Sequence, residues 1–129
     1  MTSWSEVVAV ADLPEVTEST WYRTPALKVR DRGFARLRPE SEGGLMVLCE
    51  ISEKKALLAS GDPAYFTTEH YDGYGAILVD LDRVDPRELR ELLVEAWRLA
   101  APAALRERVP AVSRGSVPAA RREEKGRLD

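Results

Sequence analysis

The stretch D-P-R-E-L-R-E-L-L-V-E-A-W-R-L-A, residues 85–100, permits few architectures. Asp85 can accept an orphan backbone N–H at a helix start, Pro86 suits the first helical position, and Glu88 can complete a capping box. Leu89, Leu92, Leu93, Ala96, Trp97 and Ala100 recur at three- and four-residue steps and form one apolar stripe. Arg87, Arg90, Glu91 and Glu95 are left for water, and Pro102 ends the run. A helix this one-sided has to lie on another apolar surface, which the rest of the chain must supply.

That surface reads as a sheet. Residues 27–30 and 34–38 alternate apolar and basic side chains, with turn chemistry at Asp31-Arg32-Gly33 between them. Thr20-Trp21-Tyr22-Arg23 begins a strand signal that Pro25 breaks, and residues 13–18 read as a loop after Pro14. Residues 45–51 are apolar on both faces until Glu50, which suits a central strand, and residues 74–81 form a further strand with an extended piece near Phe66-Thr67. A first helix starts at Ser3 or Ser5, with Trp4, Val7, Val8 and Ala11 on one face. A short second helix follows Ser52 and stops at Gly61. The expected fold is α+β: an antiparallel sheet with helices packed on one side, in the order α-β-β-β-α-β-α. One domain over residues 1–102 fits a chain of 129 residues, and residues 103–129 read as a disordered tail with helical tendency near residues 103–109.

Charge divides along the same line. Residues 1–102 hold twelve basic and eighteen acidic residues, a net −6, while residues 103–129 hold seven basic and four acidic, a net +3. No apolar run approaches the roughly 18–20 residues needed to cross a bilayer, and the N-terminus lacks a basic start followed by an apolar stretch. A cytoplasmic protein without membrane partner is expected. Cys49 is the single cysteine, lies in an apolar run, and reads as a buried hydrophobe; as a nucleophile it would need His70, the single histidine, as base. His70 with Asp72 or Glu69 could form an acid–base pair, but a loop histidine is the simpler reading. The spacing of Asp80, Asp82 and Asp85 does not fit a calcium loop, zinc needs more N/S ligands than His70 and Cys49 supply, and no phosphate loop or dinucleotide fingerprint occurs. Neither metal, cofactor nor catalytic constellation is indicated.

Two features point toward binding. Lys28, Arg30, Arg32, Arg36 and Arg38 fall within eleven positions. Strict alternation would put Lys28, Arg30, Arg36 and Arg38 on one sheet face with Arg32 at the tip, a surface able to follow phosphates. The plain alternative is the solvated outer face of a half-buried sheet. The second feature is aromatic. Trp21, Tyr22, His70, Tyr71 and Tyr74 could line a pocket for a flat ligand, or could be core aromatics with satisfied hydroxyls.

Four separated segments carry a family resemblance: T-E-S-T-W-Y-R-T-P-A-L-K-V-R, G-F-A-R-L-R, H-Y-D-G-Y-G-A-I-L-V-D-L and D-P-R-E-L-R-E-L-L-V-E-A-W-R. In this order, across roughly residues 4–102, the chain resembles the MmcQ/YjbR-like family of small bacterial proteins. The resemblance implies a "double wing" arrangement of β-hairpins and the label DNA-binding, and it supplies no catalytic residues. Lys28 stands where the pattern has a basic residue after Pro-x-Leu, and His70-Tyr71 where it has a histidine before an aromatic. The expectation is a non-enzymatic binding protein, monomer or weak homodimer, with DNA the first candidate partner through the hairpin at 27–38. The alternative is a protein- or small-ligand-binding module using residues 65–74. Whether the Lys28–Arg38 face is continuous, or neutralised by carboxylates, separates the two.

Overall fold

A computed structural model describes residues 2–110. The elements run α1 (Trp4–Val10), β1 (Val16–Trp21), β2 (Thr24–Val29), β3 (Arg32–Leu37), β4 (Leu45–Leu48), α2 (Ile51–Ala59), β5 (Tyr65–Phe66), a 3-10 turn (Glu69–Tyr71), β6 (Ala76–Val79), α3 (Pro86–Ala100) and α4 (Ala103–Arg106). The strands form one antiparallel sheet in the order β1-β2-β3-β4-β6-β5, with helices on one side. The α+β fold is the expected one, with one correction: β1 begins at Val16, inside the segment read as a loop, so four strands and not three separate α1 from α2.

Pairing in register sorts the side chains into two faces. Leu27, Ala35, Val47 and Ile77 are mutual partners across β2, β3, β4 and β6, and all belong to the large core under α3. Trp97 is fully buried there, and its indole N–H donates to the Pro14 carbonyl at 3.0 Å. Asp85 caps α3 as expected, accepting from the Arg87 N–H at 2.8 Å. Glu88, however, accepts from the Tyr65 hydroxyl, which ties the start of α3 to β5. Arg90, expected in water, donates to the Val10 carbonyl at 2.6 Å and satisfies the end of α1, whose start carries a Ser3/Glu6 capping box. Helix α2 starts at Ile51, with Glu50 and not Ser52 at the cap position.

The two hairpins depart from expectation in instructive ways. Trp21 pairs with Thr24 across Tyr22 (φ 55°) and Arg23 (φ 68°), and Val29 pairs with Arg32 across Arg30 (φ 49°) and Asp31 (φ 67°). Both are two-residue loops with positive φ at each central residue, the geometry that follows sheet twist. Neither uses glycine, which costs about 1–2 kcal/mol per residue in backbone strain. Gly33, expected to supply the turn's positive φ, is instead an ordinary strand residue beneath the Trp21 ring. A Cβ there would come within 2.5 Å of that ring.

The register also slips between Leu27 and Lys28: Leu27 faces Ala35 while Lys28 faces Gly33, so Phe34 is one residue too many on β3. This β-bulge puts both Phe34 and Ala35 in the core and reverses the alternation on either side of it.

The folded unit continues past Pro102. Leu105 of α4 is buried, and Arg98 donates to the carbonyls of Arg106 at 3.2 Å and Val109 at 2.5 Å. The expected boundary at residue 102 is therefore short by several residues; the rest of the basic tail lies outside the described residues. No described helix is long and apolar enough to cross a membrane.

Candidate ligand cleft on the helix-free face

The other face of the sheet has no helix over it. Its central row crosses all six strands as Ser19, Ala26, Arg36, Met46, Leu78 and Phe66. Met46, Ala76 and Leu78 are buried nonetheless, because Trp21, Phe66 and Tyr71 pack on them. The aromatic side chains replace a helix layer over part of this face. Beside them the cover is incomplete, and a cleft of about 820 Å³ opens, floored by Arg36, Arg38 and Met46.

Its two walls come from distant parts of the chain. One is the β1–β2 turn, where the Trp21 and Tyr22 rings stack with centroids 6.0 Å apart and planes at 18°. The other is the loop around the 3-10 turn, carrying Thr68, His70, Tyr71 and Tyr74. There the Tyr71 ring meets His70 edge-on at 4.9 Å and Tyr74 at 5.9 Å. Tyr22 is 75% exposed and Tyr74 51% exposed, so both walls present aromatic surface to solvent.

Arg36 joins the walls. Its Nε–H donates to the Trp21 carbonyl at 3.0 Å, one terminal nitrogen reaches the Tyr71 hydroxyl at 3.4 Å, and the guanidinium lies 5.3 Å from the Tyr22 ring centroid. The Trp21 carbonyl also accepts from the Thr24 hydroxyl at 3.0 Å, so two donors hold the strained Tyr22-Arg23 turn. Arg38 is more deeply placed. It donates to the Gly43 carbonyl at 3.0 Å, pairs with Glu42 at 3.3 Å, and lies 5.9 Å from the Phe66 ring centroid.

The second wall is fixed from behind by Lys54 of α2. This lysine is only 4% exposed, and its ammonium donates to the carbonyls of Tyr71 at 2.5 Å and Tyr74 at 2.9 Å. A buried cation must find acceptors, and here it finds the backbone of the loop that carries the aromatic residues.

Comparison with known proteins places this architecture. The family model described as YjbR matches residues 11–99, from the end of α1 to the last turn of α3. The chain belongs to the YjbR family. Uncharacterized protein Rv2570 of Mycobacterium tuberculosis and Uncharacterized protein Mb2600 of Mycobacterium bovis are each 35% identical to it over 118 residues, covering 79% of this chain and 91% of theirs. The crystal structure of Deinococcus radiodurans protein DR2400, a DUF419 domain, superimposes with a TM-score of 0.69 at 20% identity, over 89% of this chain and 95% of that one. The YjbR match contains every residue lining the cleft.

Within this YjbR chain the five aromatic candidates, Trp21, Tyr22, His70, Tyr71 and Tyr74, converge on one site. The five basic candidates do not. Lys28 lies on the helix-free face opposite Thr17 and Gly33. Arg30, in the turn, makes a two-point ion pair with Glu15 at 2.6 and 3.0 Å, and that hydrogen bond holds the Glu15 carboxyl below its usual range. Arg32 reaches the helix side and donates to the Ala100 carbonyl at 3.4 Å, at the end of α3. Arg38 is buried against Glu42. Lys28, Arg36 and Arg38 do share the helix-free face, but Arg30 sits in the turn and carboxylates pair Arg30 and Arg38, so of the five only Lys28 and Arg36 stay on that face without an ion pair among the described residues. Cys49 is buried in the helix-side core whereas His70 lines the cleft on the other face, which separates the one thiol from the one imidazole.

Residues of the site that the sequence did not mark are Glu42, Met46 and Lys54. Met46 is one of several apolar residues in β4, and Lys54 sits in an unremarkable E-K-K step, so neither carries a local signal. Arg36 and Arg38, legible as cations of the hairpin, line the cleft beside the aromatic residues.

Proposed function

We propose that this protein is a non-enzymatic binding protein of the YjbR family whose recognition site is the cleft on the helix-free face, and that its partner is a small ligand or chain end bearing a flat ring. The observation that carries this reading is the convergence of two exposed aromatic walls, residues 21–22 and 70–74, above a floor that holds an arginine. A volume of about 820 Å³ suits a ligand of moderate size, and aromatic lining with a few placed polar groups is the usual make-up of such sites. Binding is favoured over catalysis because the cleft carries no nucleophile paired with a base, and Glu42 is occupied by Arg38.

Duplex DNA binding through residues 27–38 has weaker support. Following phosphates needs several cations on one surface, and here Arg30 and Arg38 are paired while Arg32 lies on the opposite side. The chain also contains no asparagine or glutamine, the side chains that pair with adenine in the major groove.

Amide shift mapping distinguishes the readings. Titration with a panel of bicyclic aromatic fragments should move the Trp21 indole N–H and the backbone of residues 68–75. Titration with duplex DNA at low salt should leave residues 28–36 unmoved. Fragments that perturb nothing in the cleft, together with salt-dependent DNA shifts along the hairpin, would overturn the cleft reading.

A further inference from the structure

We infer that the cleft is selective for anions: its ligand carries an oxyanion, a carboxylate or phosphate monoester, beside the flat ring, and Arg36 receives that group. The inference rests on the cleft reading above and adds to it the charge of the ligand and the residue that reads it.

Arg36 has more donors than the protein supplies acceptors for. A guanidinium has five N–H donors. The Nε–H is committed to the Trp21 carbonyl and one terminal nitrogen to the Tyr71 hydroxyl, at a long 3.4 Å. No other hydrogen-bond partner for this side chain occurs among the described residues, which leaves three N–H groups without a protein acceptor. They lie on the terminal nitrogens, the end that matches a two-oxygen acceptor.

The ion pairs among the described residues are Arg30–Glu15, Arg38–Glu42 and Arg83–Asp80, so the arginine in the cleft floor that has a carboxylate is Arg38 and the one that lacks it is Arg36. Arg36 is also half-buried, flanked by Tyr22 and Tyr71, which reduces the water available to its charge. A partly desolvated cation without a counter-ion strongly favours an incoming anion. Its existing bonds hold the guanidinium in place, so little side-chain freedom is lost when that anion binds.

The surroundings limit the anion to a small one. Glu42 stands on the same cleft lining, and residues 1–102 carry a net −6. A polyanion laid across this face would meet that field repeatedly, whereas a single oxyanion at Arg36 meets one local cation. The ring would then lie against the solvent-exposed surface of Tyr22 or Tyr74.

The test uses two probes of one shape, 2-naphthoate and its neutral isostere 2-naphthamide, with the full chain and amide shift mapping at low salt. Naphthoate should bind in the cleft roughly tenfold or more tightly than naphthamide, the usual advantage of a charge-assisted pair. Arg36→Met should abolish that preference, read as the ratio of the two affinities, because losing the bonds to the Trp21 carbonyl and the Tyr71 hydroxyl weakens both probes alike. Arg36→Lys should restore only part of it, because a point charge replaces a fork. Both variants are checked for an unchanged melting profile, and if Arg36→Met is unfolded the Lys variant alone carries the comparison. Equal binding of the two probes in the cleft would overturn the anion inference and leave the cleft reading intact. So would a preference that persists undiminished in either variant. Failure of both probes to perturb the cleft would overturn the two together. 2-Naphthyl phosphate against 2-naphthoate then distinguishes a phosphate ligand from a carboxylate one.

Discussion

Replacing Lys54 by methionine isolates what holds the second wall of the cleft. Methionine keeps much of the apolar stem, so the change removes an ammonium with little loss of packing. In the native chain that ammonium makes two charge-assisted bonds, to Tyr71 and Tyr74 carbonyls at 2.5 and 2.9 Å. Such bonds are each worth about 1.5–3 kcal/mol net, so a simple sum gives roughly 3–6 kcal/mol. Two effects reduce it. Burying the ammonium costs several kcal/mol that the variant no longer bears, and the freed carbonyls lie in a surface loop where water can reach them. A net loss of about 1–3 kcal/mol remains. It should be local, because the other backbone bonds of residues 68–74 are short-range (Tyr71 to Thr68 at 2.9 Å, Asp72 to Glu69 at 3.2 Å, Tyr74 to Tyr71 at 2.9 Å) and the next tie to a distant segment comes at Gly75, whose carbonyl accepts from the Cys49 N–H at 3.0 Å. Native-state hydrogen exchange should show the Tyr71, Asp72 and Tyr74 amides accelerating by about tenfold or more, while amides of β3 and β4 change only with global stability. Binding of any cleft ligand should weaken in parallel. Loop amides that keep their protection, or a loss spread evenly over the sheet, would refute the role given to Lys54.

Two further changes probe the frame. Gly33→Ala would set a Cβ 2.5–2.6 Å from the Trp21 ring, so the ring must swing out; we expect a loss of about 1–3 kcal/mol in denaturant unfolding, a shifted Trp21 indole resonance and weaker cleft binding. An indole resonance that stays in place would show that Gly33 does not seat the ring. Leu105→Ala should cost about 2–3 kcal/mol, since Leu105 is buried against the core beyond the boundary that sequence suggested; a chain ended after Pro102 with an unchanged melting temperature would contradict that.

The parts of the fold that were legible are those where a local signal and the tertiary structure agree. Asp85-Pro86 and the Leu89-to-Ala100 stripe specify α3 and its buried face without outside help. Apolar runs read β4 and β6, and alternation reads β2. The bulge at Phe34 defeats it, because Phe34 and Ala35 are ordinary strand residues and nothing in G-F-A-R marks where one extra residue will be taken up. Downstream of the bulge Arg36 keeps its assigned face, while Arg32, upstream, is turned to the helix side. The slip moves Arg32 alone; Lys28, Arg36 and Arg38 keep one face, and what breaks up the row is the pairing of Arg30 with Glu15 and of Arg38 with Glu42. The turns were misplaced for a related reason: Tyr22-Arg23 and Arg30-Asp31 take positive φ without glycine, so turn chemistry pointed one or two residues away, to Gly33.

For the site, the choice left open by sequence was whether the aromatic residues are core or ligand surface. They divide between the two roles. Trp21, Phe66 and Tyr71 cover Met46, Ala76 and Leu78, which would otherwise leave an apolar strip on a sheet face without helices. That requirement accounts for their size and position with no ligand at all. It does not account for Tyr22 and Tyr74, which remain 75% and 51% exposed. Tyr22 sits in a turn strained at both central residues, braced through the Trp21 carbonyl by Arg36 and Thr24. A turn built only for stability would relieve that strain with glycine or asparagine. Keeping a tyrosine there, over the one arginine of the cleft floor that has no counter-ion, makes sense if the ring and the guanidinium are presented together. The minor core and the cleft are in that sense one construction: the same aromatic layer closes part of the sheet face, and the cleft opens where that layer stops.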